Sequence, residues 1–114
     1  MKKLIMAILL SVAVPAIAQA KPATCKIESD GVTKYKGNCD FKPQSNGGFI
    51  LSHPSFEKKI GHPSIEVEID KYGKAIAYLE DEYYGYMDWG IVTRSQKEKA
   101  CWVGDSFKIC AWGK

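Results

Sequence analysis

The sequence lacks most of the patterns that mark an enzyme. It has no G-x-S-x-G segment for a serine nucleophile and no G-x-G-x-x-G or Walker sequence for phosphate binding. Its only histidines, His53 and His62, each precede a Pro-Ser pair, which is a context typical of turns, and two histidines alone leave a metal underliganded. The sequence therefore predicts a protein that is not an enzyme, with no catalytic residue, no cofactor and no metal.

Long apolar runs are also missing. No apolar stretch reaches the length of about 20 residues that a membrane-spanning helix needs. The stretch Leu4–Val14 follows the basic pair Lys2-Lys3 and precedes Ala18-Gln19-Ala20. A basic head, a short apolar stretch and an A-x-A site form a secretory signal peptide. We therefore expect residues 1–20 to be cleaved from a bacterial chain that is periplasmic or secreted, leaving residues 21–114 as a single β-domain that is not attached to a membrane.

An excess of one charge is absent once the signal peptide is set aside. The whole chain has 16 Lys and Arg against 13 Asp and Glu, a formal net charge of +3, and Lys2 and Lys3 account for most of that excess. A basic surface for nucleic acid or membranes is therefore not expected. The balance hides an acidic middle, because residues 60–90 hold seven acidic residues and two lysines, whereas the segments on either side are net positive.

Closely spaced cysteines are lacking too. None of the four cysteines belongs to a C-x-x-C or C-x-x-H pair, which argues against zinc. An even number of cysteines in a small exported domain indicates two disulfides. Of the three pairings that four cysteines allow, we predict Cys25–Cys39 and Cys101–Cys110, because each of these pairs flanks a predicted hairpin.

No stretch shows a sustained helical repeat of apolar residues, whereas turn signals recur every eight to twelve residues. This rhythm predicts an all-β fold. We expect a small, disulfide-stapled antiparallel β-barrel or sandwich of about seven strands, with little helix.

The first predicted hairpin turns at Asp30-Gly31. In this register Cys25 lies opposite Gly37, and a bulge near Gly37-Asn38 brings Cys39 within reach of Cys25. The same register sets Ile27 opposite Tyr35, and Glu28 opposite Lys34.

A second hairpin is predicted from the alternation of Ile65, Val67 and Ile69 with Glu66, Glu68 and Asp70. We expect Ile69 to lie opposite Ile76, and Val67 opposite Tyr78, which places one continuous apolar face in the core. We therefore expect the three acidic residues to lie on the outer face, where their charge keeps the hairpin soluble. A last hairpin turns at Asp105-Ser106 and sets Cys101 opposite Cys110.

The segment Glu80–Gly90, EDEYYGYMDWG, joins four acidic residues to four aromatic rings. Tyr, Trp and Met are enriched in protein interfaces, and acidic groups steer cationic partners. We predict that this segment binds a protein partner and that Trp89 packs inward; the alternative is that its rings belong to the core. The predicted partner-binding residues are Asp81, Glu82, Tyr83, Tyr84, Tyr86, Met87 and Asp88.

A skeleton of spaced residues runs through most of the chain after residue 20. It consists of Cys25-x-Ile27, Tyr35-x-Gly37-x-Cys39-x-Phe41, Gly47-Gly48 before Phe49, Arg94, Cys101-Trp102 and Ile109-Cys110-Ala111-Trp112. This skeleton resembles that of small exported bacterial proteins for which no activity is established. The resemblance implies a β-fold with two disulfides.

The chain is also similar, in size and architecture, to periplasmic lysozyme inhibitors, which are small exported β-barrels with disulfides. The S-G-x-x-Y and aromatic-Trp-Thr-Lys-Gly motifs of their membrane-associated C-type group are absent, and Trp112-Gly113-Lys114 is only a fragment of the second. The similarity therefore transfers no inhibitory residue.

The function expected from these observations is that of an exported binding protein without enzymatic activity. We expect an inhibitor or immunity-type protein that docks a cationic envelope hydrolase or toxin. Two alternatives stay open: a structural or envelope-stress protein with no dedicated ligand, and a module that binds a small ligand or glycan. Exposure of the tyrosine rings favours a binding role, whereas burial favours a structural one.

Overall fold

A computed structural model describes residues 19–113, so the predicted signal peptide lies outside the described residues except for Gln19 and Ala20. The strands are β1 (Lys21–Ser29), β2 (Val32–Pro43), β3 (Phe49–Ser52), β4 (Ser64–Ile69), β5 (Ala75–Asp81), β6 (Gly85–Arg94), β7 (Cys101–Val103) and β8 (Phe107–Gly113). Helical structure in this part of the chain is limited to α1 (Phe56–Ile60) and a 3-10 turn at Ser45–Gly47. The predicted all-β fold with little helix is confirmed, with eight strands in place of about seven.

The eight strands form one closed antiparallel barrel in sequence order, and β8 returns to pair with β1. Because successive strands run in opposite directions, their connections fall at two ends. The upper end carries the turns that follow β1, β5 and β7, together with the longer β3–β4 connection that contains α1. The lower end carries the start of β1, the end of β8 and the other connections. Among residues 19–113, no helix has the length and apolar character needed to span a bilayer.

The barrel interior is filled by alternate side chains of the strands, as in other eight-stranded barrels. Ile27, Leu51, Ile65 and Ile109 are completely buried in one apolar cluster. The upper end is plugged by Phe56 of α1, which is also completely buried. The filled interior is therefore a packed core.

The β4–β5 hairpin differs by one residue from the predicted register. Ile69 pairs with Ala75, and Val67 pairs with Ala77. Asp70 sets this register, because its Oδ1 accepts hydrogen bonds from the backbone amides of Tyr72 and Lys74, each at 2.9 Å. Small alanines therefore face the narrow interior, and the predicted inward placement of Ile76 and Tyr78 is wrong.

In the β1–β2 hairpin, the predicted pairs Ile27–Tyr35 and Cys25–Gly37 are confirmed. The predicted pair of Glu28 with Lys34 is wrong, because Glu28 pairs with Thr33 across a bulge that begins after Ile27. The bulge expected near Gly37-Asn38 is not needed. Cys39 lies opposite Ala23, diagonal to Cys25, and diagonal neighbours on one face are within reach of each other.

Both predicted disulfides are confirmed, and no cysteine among the described residues is free. Cys25–Cys39 links β1 to β2 inside the core cluster. Cys101–Cys110 links β7 to β8 in the predicted register. It lies on the opposite side of those strands from the core cluster, although both of its cysteines are buried.

Candidate functional site

The predicted partner-binding segment forms the β5–β6 hairpin at the upper end of the barrel. Asp81 ends β5, a turn spans residues 82–84, and β6 begins at Gly85. The Asp81 side chain supports the turn, because its Oδ1 accepts the backbone amide of Tyr83 at 3.4 Å. We call residues 82–84 the hairpin tip.

The rings at the tip project into solvent. Tyr83 is 85 % exposed and Tyr84 is 80 % exposed, which are unusually high values for such large side chains. Tyr86 and Met87, the next side chains along β6, are about half exposed. These rings therefore do not belong to the core.

Strand alternation divides the seven predicted residues among three places. Glu82, Tyr83 and Tyr84 form the tip, which Asp81 supports. Tyr86 and Asp88 lie on the outer face of β6, whereas Met87 lies opposite Leu79 on its other side. The structure thus brings most of these residues to one corner of the upper end, but not to one flat surface.

Trp89 packs against the core, as predicted. Its ring stacks on that of Phe107 with 3.9 Å between centroids. A bulge in β6 allows this, because Asp88 pairs with Tyr78 while Gly90 pairs with Ala77, which leaves Trp89 as the extra residue.

The outer face of β4, β5 and β6 carries an acidic and tyrosine-rich surface that sequence reasoning missed. One row across the strands is Glu66, Tyr78 and Asp88; in the next, Glu80 pairs with Tyr86 and its side chain contacts that of Ser64. With Glu68, which follows Glu66 on this face of β4, these residues form what we call the acid–tyrosine face. The alternation of side chains in all three strands could have revealed this face. The predicted register of β4 with β5, which is wrong by one residue, hid it because it placed Tyr78 in the core.

Burial and mutual repulsion act together on the acid–tyrosine face. Burial, and then the neighbouring charge of Glu68, raise the pKa of the Glu66 carboxyl. Burial is also the main reason that the pKa of Tyr78 and that of Tyr86 are raised; Glu68 and Asp88 add to the effect on Tyr78, and Glu80 adds to that on Tyr86. Hydrogen bonding holds one of these carboxylates in place, since Ser64 donates to Glu80 Oε1 at 2.6 Å.

The salt bridges within residues 19–113 lie elsewhere. Lys26 and Lys108 contact Glu28 at 2.9 and 3.7 Å, and Lys108 also contacts Glu98 at 3.0 Å. The hydrogen bond from Lys26 is the main cause that lowers the pKa of the Glu28 carboxyl. No carboxylate of the acid–tyrosine face has such a cation within the described chain, so the field of this face extends into solvent.

The two histidines occupy structural positions. His53 Nδ1 accepts the backbone amide of Ser55 at 3.0 Å, and His62 Nδ1 lies 2.9 Å from the carbonyl oxygen of Glu80. No group of three or more His, Cys, Asp or Glu side chains within residues 19–113 is placed to hold a metal.

Comparisons of the chain with protein-family models, with curated proteins and with solved structures return no match. The two resemblances drawn from the sequence therefore stay predictions.

Proposed function

We propose that this protein is an exported binding protein that docks a cationic protein through the acid–tyrosine face and the hairpin tip, and that it has no catalytic activity of its own. The partner class is a cationic envelope hydrolase or toxin, so the protein acts as an inhibitor or immunity-type protein. The observation that carries this proposal is the pairing of unneutralised carboxylates with exposed tyrosine rings at one corner of the barrel.

The acidic groups support the proposal because their arrangement is unfavourable for the isolated fold. Glu66 and Glu68 are neighbours on the same face of β4, so their like charges repel each other. The raised pKa of Glu66 records this repulsion together with burial. A cationic surface placed against the face would relieve the repulsion, and so would convert this local cost into binding affinity.

The tyrosines support the proposal through their exposure. A tyrosine ring offers a large contact area at a small loss of conformational entropy, and such rings dominate the energy of many interfaces. Tyr83 and Tyr84 present these rings on a turn whose backbone is held by Asp81. Acidic groups beside them would speed the approach of a cationic partner.

The two disulfides support the export part of the proposal, because such bridges persist in oxidising compartments. This is the same environment in which secreted hydrolases and toxins act.

The test measures association and dissociation rates of the chain from residue 21 over a range of salt concentrations. The probes are a basic lysozyme and cationic proteins recovered from periplasm and from competitor culture fluids. The test variant combines Asp81→Asn, Glu82→Gln and Asp88→Asn; Asn at position 81 keeps the oxygen that supports the turn. The control variant, Asp30→Asn with Asp40→Asn and Glu57→Gln, removes the same formal charge from exposed residues elsewhere.

We expect the test variant to associate about tenfold more slowly at low salt, with a weaker salt dependence, and the control to behave like the parent chain. An unchanged salt dependence in the test variant would contradict the proposal. Failure of every cationic probe to bind would also contradict it, and would favour a structural role.

A further inference from the structure

A cavity of about 220 Å³ opens at the upper end of the barrel, beside α1. It lies on the inner side of β5, whose outer side carries the acid–tyrosine face. Its apolar lining comes from four separate elements, which contribute Ile27, Ile60, Leu79 and Trp89. The mouths of β-barrels are a common location for small-molecule sites.

The polar lining of this cavity is basic. Lys34, Lys59, His62 and Ser29 complete the wall, which contains no carboxylate side chain among the described residues. Neither lysine takes part in a salt bridge within residues 19–113. Two ammonium groups therefore border an apolar cavity without a counter-ion from the described chain.

Lys34 reaches the cavity because of the bulge in the β1–β2 hairpin. Ile27 pairs with Tyr35 and Glu28 pairs with Thr33, which leaves Lys34 as the unpaired extra residue. In the predicted register Lys34 would have faced Glu28, on the outside of the barrel. Bulges commonly re-aim one side chain beside a functional site, and this one turns a lysine from a salt-bridge position toward the barrel mouth.

The other two basic residues come from α1 and from the residue that follows Gly61. Lys59 lies in α1, which is anchored by the buried Phe56 and ends at Gly61 in the left-handed region. His62 follows at once, and its ring is fixed by the carbonyl oxygen of Glu80. A carbonyl only accepts, so Nδ1 carries the proton in this contact. Lys34 and Lys59 are exposed side chains at the rim of the cavity, whereas the His62 ring is held in place.

We propose that this cavity binds a small organic monoanion, in which a carboxylate lies between Lys34 and Lys59 and a short apolar body rests against Ile60, Leu79 and Trp89. Charge complementarity selects the carboxylate. The volume selects the body, because an apolar protein cavity of about 150 Å³ accommodates benzene. A body of the size of benzoate or hexanoate therefore fits the space of about 220 Å³.

The test titrates the chain from residue 21 with benzoate and hexanoate, each against its uncharged match, benzyl alcohol or hexanol. Binding is followed by chemical-shift changes of the Trp89 indole and of the methyl groups of Ile27, Ile60 and Leu79. We expect saturable shifts at these groups, with the carboxylates binding at least about tenfold more tightly than the alcohols, since charge-assisted hydrogen bonds are the strong ones.

A variant with Lys34→Gln and Lys59→Gln should bind benzoate about tenfold more weakly and bind benzyl alcohol unchanged. Lys42→Gln with Lys97→Gln is the matched control, because both are exposed lysines toward the lower end. The two single variants, each checked by its amide spectrum, replace the double variant if it does not fold.

Equal binding of alcohol and carboxylate, shifts confined to residues outside the cavity, or no saturable binding of any probe at millimolar concentration would each overturn the proposal. The cavity does not use the acid–tyrosine face, so either proposal can fail while the other stands.

Discussion

At the scale of single residues, the Phe107 ring lies so close to the backbone at two positions that a side chain there would collide with it. A Cβ on Gly104 would lie 2.3 Å from this ring, and one on Gly90 would lie 3.3 Å from it. Gly90 also has φ +144°, which side-chain-bearing residues rarely adopt. The stack of Trp89 on Phe107 thus depends on two glycines that have no side chain of their own to reveal this role.

We predict that Gly104→Ala destabilises the protein by about 1–3 kcal/mol, because the buried Phe107 ring must move to admit the methyl group. Denaturant unfolding measures the loss, and the near-ultraviolet signal of Trp89 should change with it. Gly113→Ala is the control, since nothing lies within 4 Å of its Cβ. Equal stability of the two variants would contradict the packing described here.

Two glutamates provide a matched pair with opposite pKa shifts. Folding raises the pKa of Glu66, so its contribution to stability is full below the pKa of the unfolded chain and is lost as the pH rises through the folded value. Folding lowers the pKa of Glu28, so its contribution is present above the unfolded pKa and is lost as the pH falls through the folded value.

We predict that Glu66→Gln raises the free energy of unfolding at neutral pH, by up to about 1 kcal/mol, and that the gain disappears in acid, where Glu66 is protonated. Denaturant unfolding at neutral and acidic pH measures both values. A loss of stability at neutral pH would contradict this prediction, because it would mean that the Glu66 carboxylate makes a favourable contact that outweighs burial and its repulsion from Glu68.

Glu28→Gln should do the opposite in the same assay. We expect it to lower the stability at neutral pH by up to about 1 kcal/mol, since its salt bridges lie near the surface, with the difference closing in acid. A pH-independent loss would point to packing and not to charge.

At the scale of elements, the strands and the tip of the β5–β6 hairpin have different roles in the proposed binding. The strands place alternate side chains on the acid–tyrosine face, while the tip carries rings that no strand constrains. Acidic groups are expected to govern the association rate, and buried contact area the dissociation rate.

We predict that the double variant Tyr83→Ser with Tyr84→Ser dissociates from its cationic partner about tenfold faster, with little change in the association rate. Surface-based kinetics separates the two rates. Tyr72→Ser is the control, because Tyr72 is 83 % exposed in a turn at the lower end. If Tyr72→Ser has the same effect, contact is not specific to the tip.

Several elements followed from the sequence because their signals are local. The Asp30-Gly31 turn, with both residues at positive φ, and the cysteine pairs follow from short-range spacing. The acid–tyrosine face did not follow, since it depends on the register of three strands, and the register of β4 with β5 depends on how Asp70 closes a five-residue loop. The position of Lys34 depends likewise on one bulge that no local pattern marked.

At the scale of the whole molecule, the barrel is held unevenly around its circumference. β6 and β7 share only two residue pairs, Thr93–Val103 and Arg94–Trp102, whereas β1 pairs along most of its length with both neighbours. Arg94 adds a cation–π contact to the Trp102 ring at 5.4 Å. Because β7 is joined to β8 by a disulfide, the bridge compensates for the shortest strand of the barrel.

We predict that replacing both Cys101 and Cys110 by Ala lowers the stability by about 2–3 kcal/mol and opens β7 first. Amide hydrogen exchange should then be faster at Trp102 and Val103 than in β1. Replacing both Cys25 and Cys39 by Ala is the comparison, for which we expect a similar global loss without selective opening of β7. If the amides of β7 and β1 exchange at the same rate in the Cys101 and Cys110 variant, the β6–β7 pairing is not the weakest part of the barrel.

The pairing of β1 with β8 has a practical consequence for how the molecule can be presented. Ala23 lies opposite Gly113, so the chain enters and leaves the barrel side by side, at the end away from the hairpin tip and the basic cavity. A tether, fusion partner or immobilisation tag attached before Lys21 or after Gly113 would therefore leave the upper end of the barrel, with the hairpin tip and the cavity, facing solvent. The two ends are also close enough that a short linker could join them, and new termini could be opened in a lower-end loop without cutting the surfaces proposed to bind.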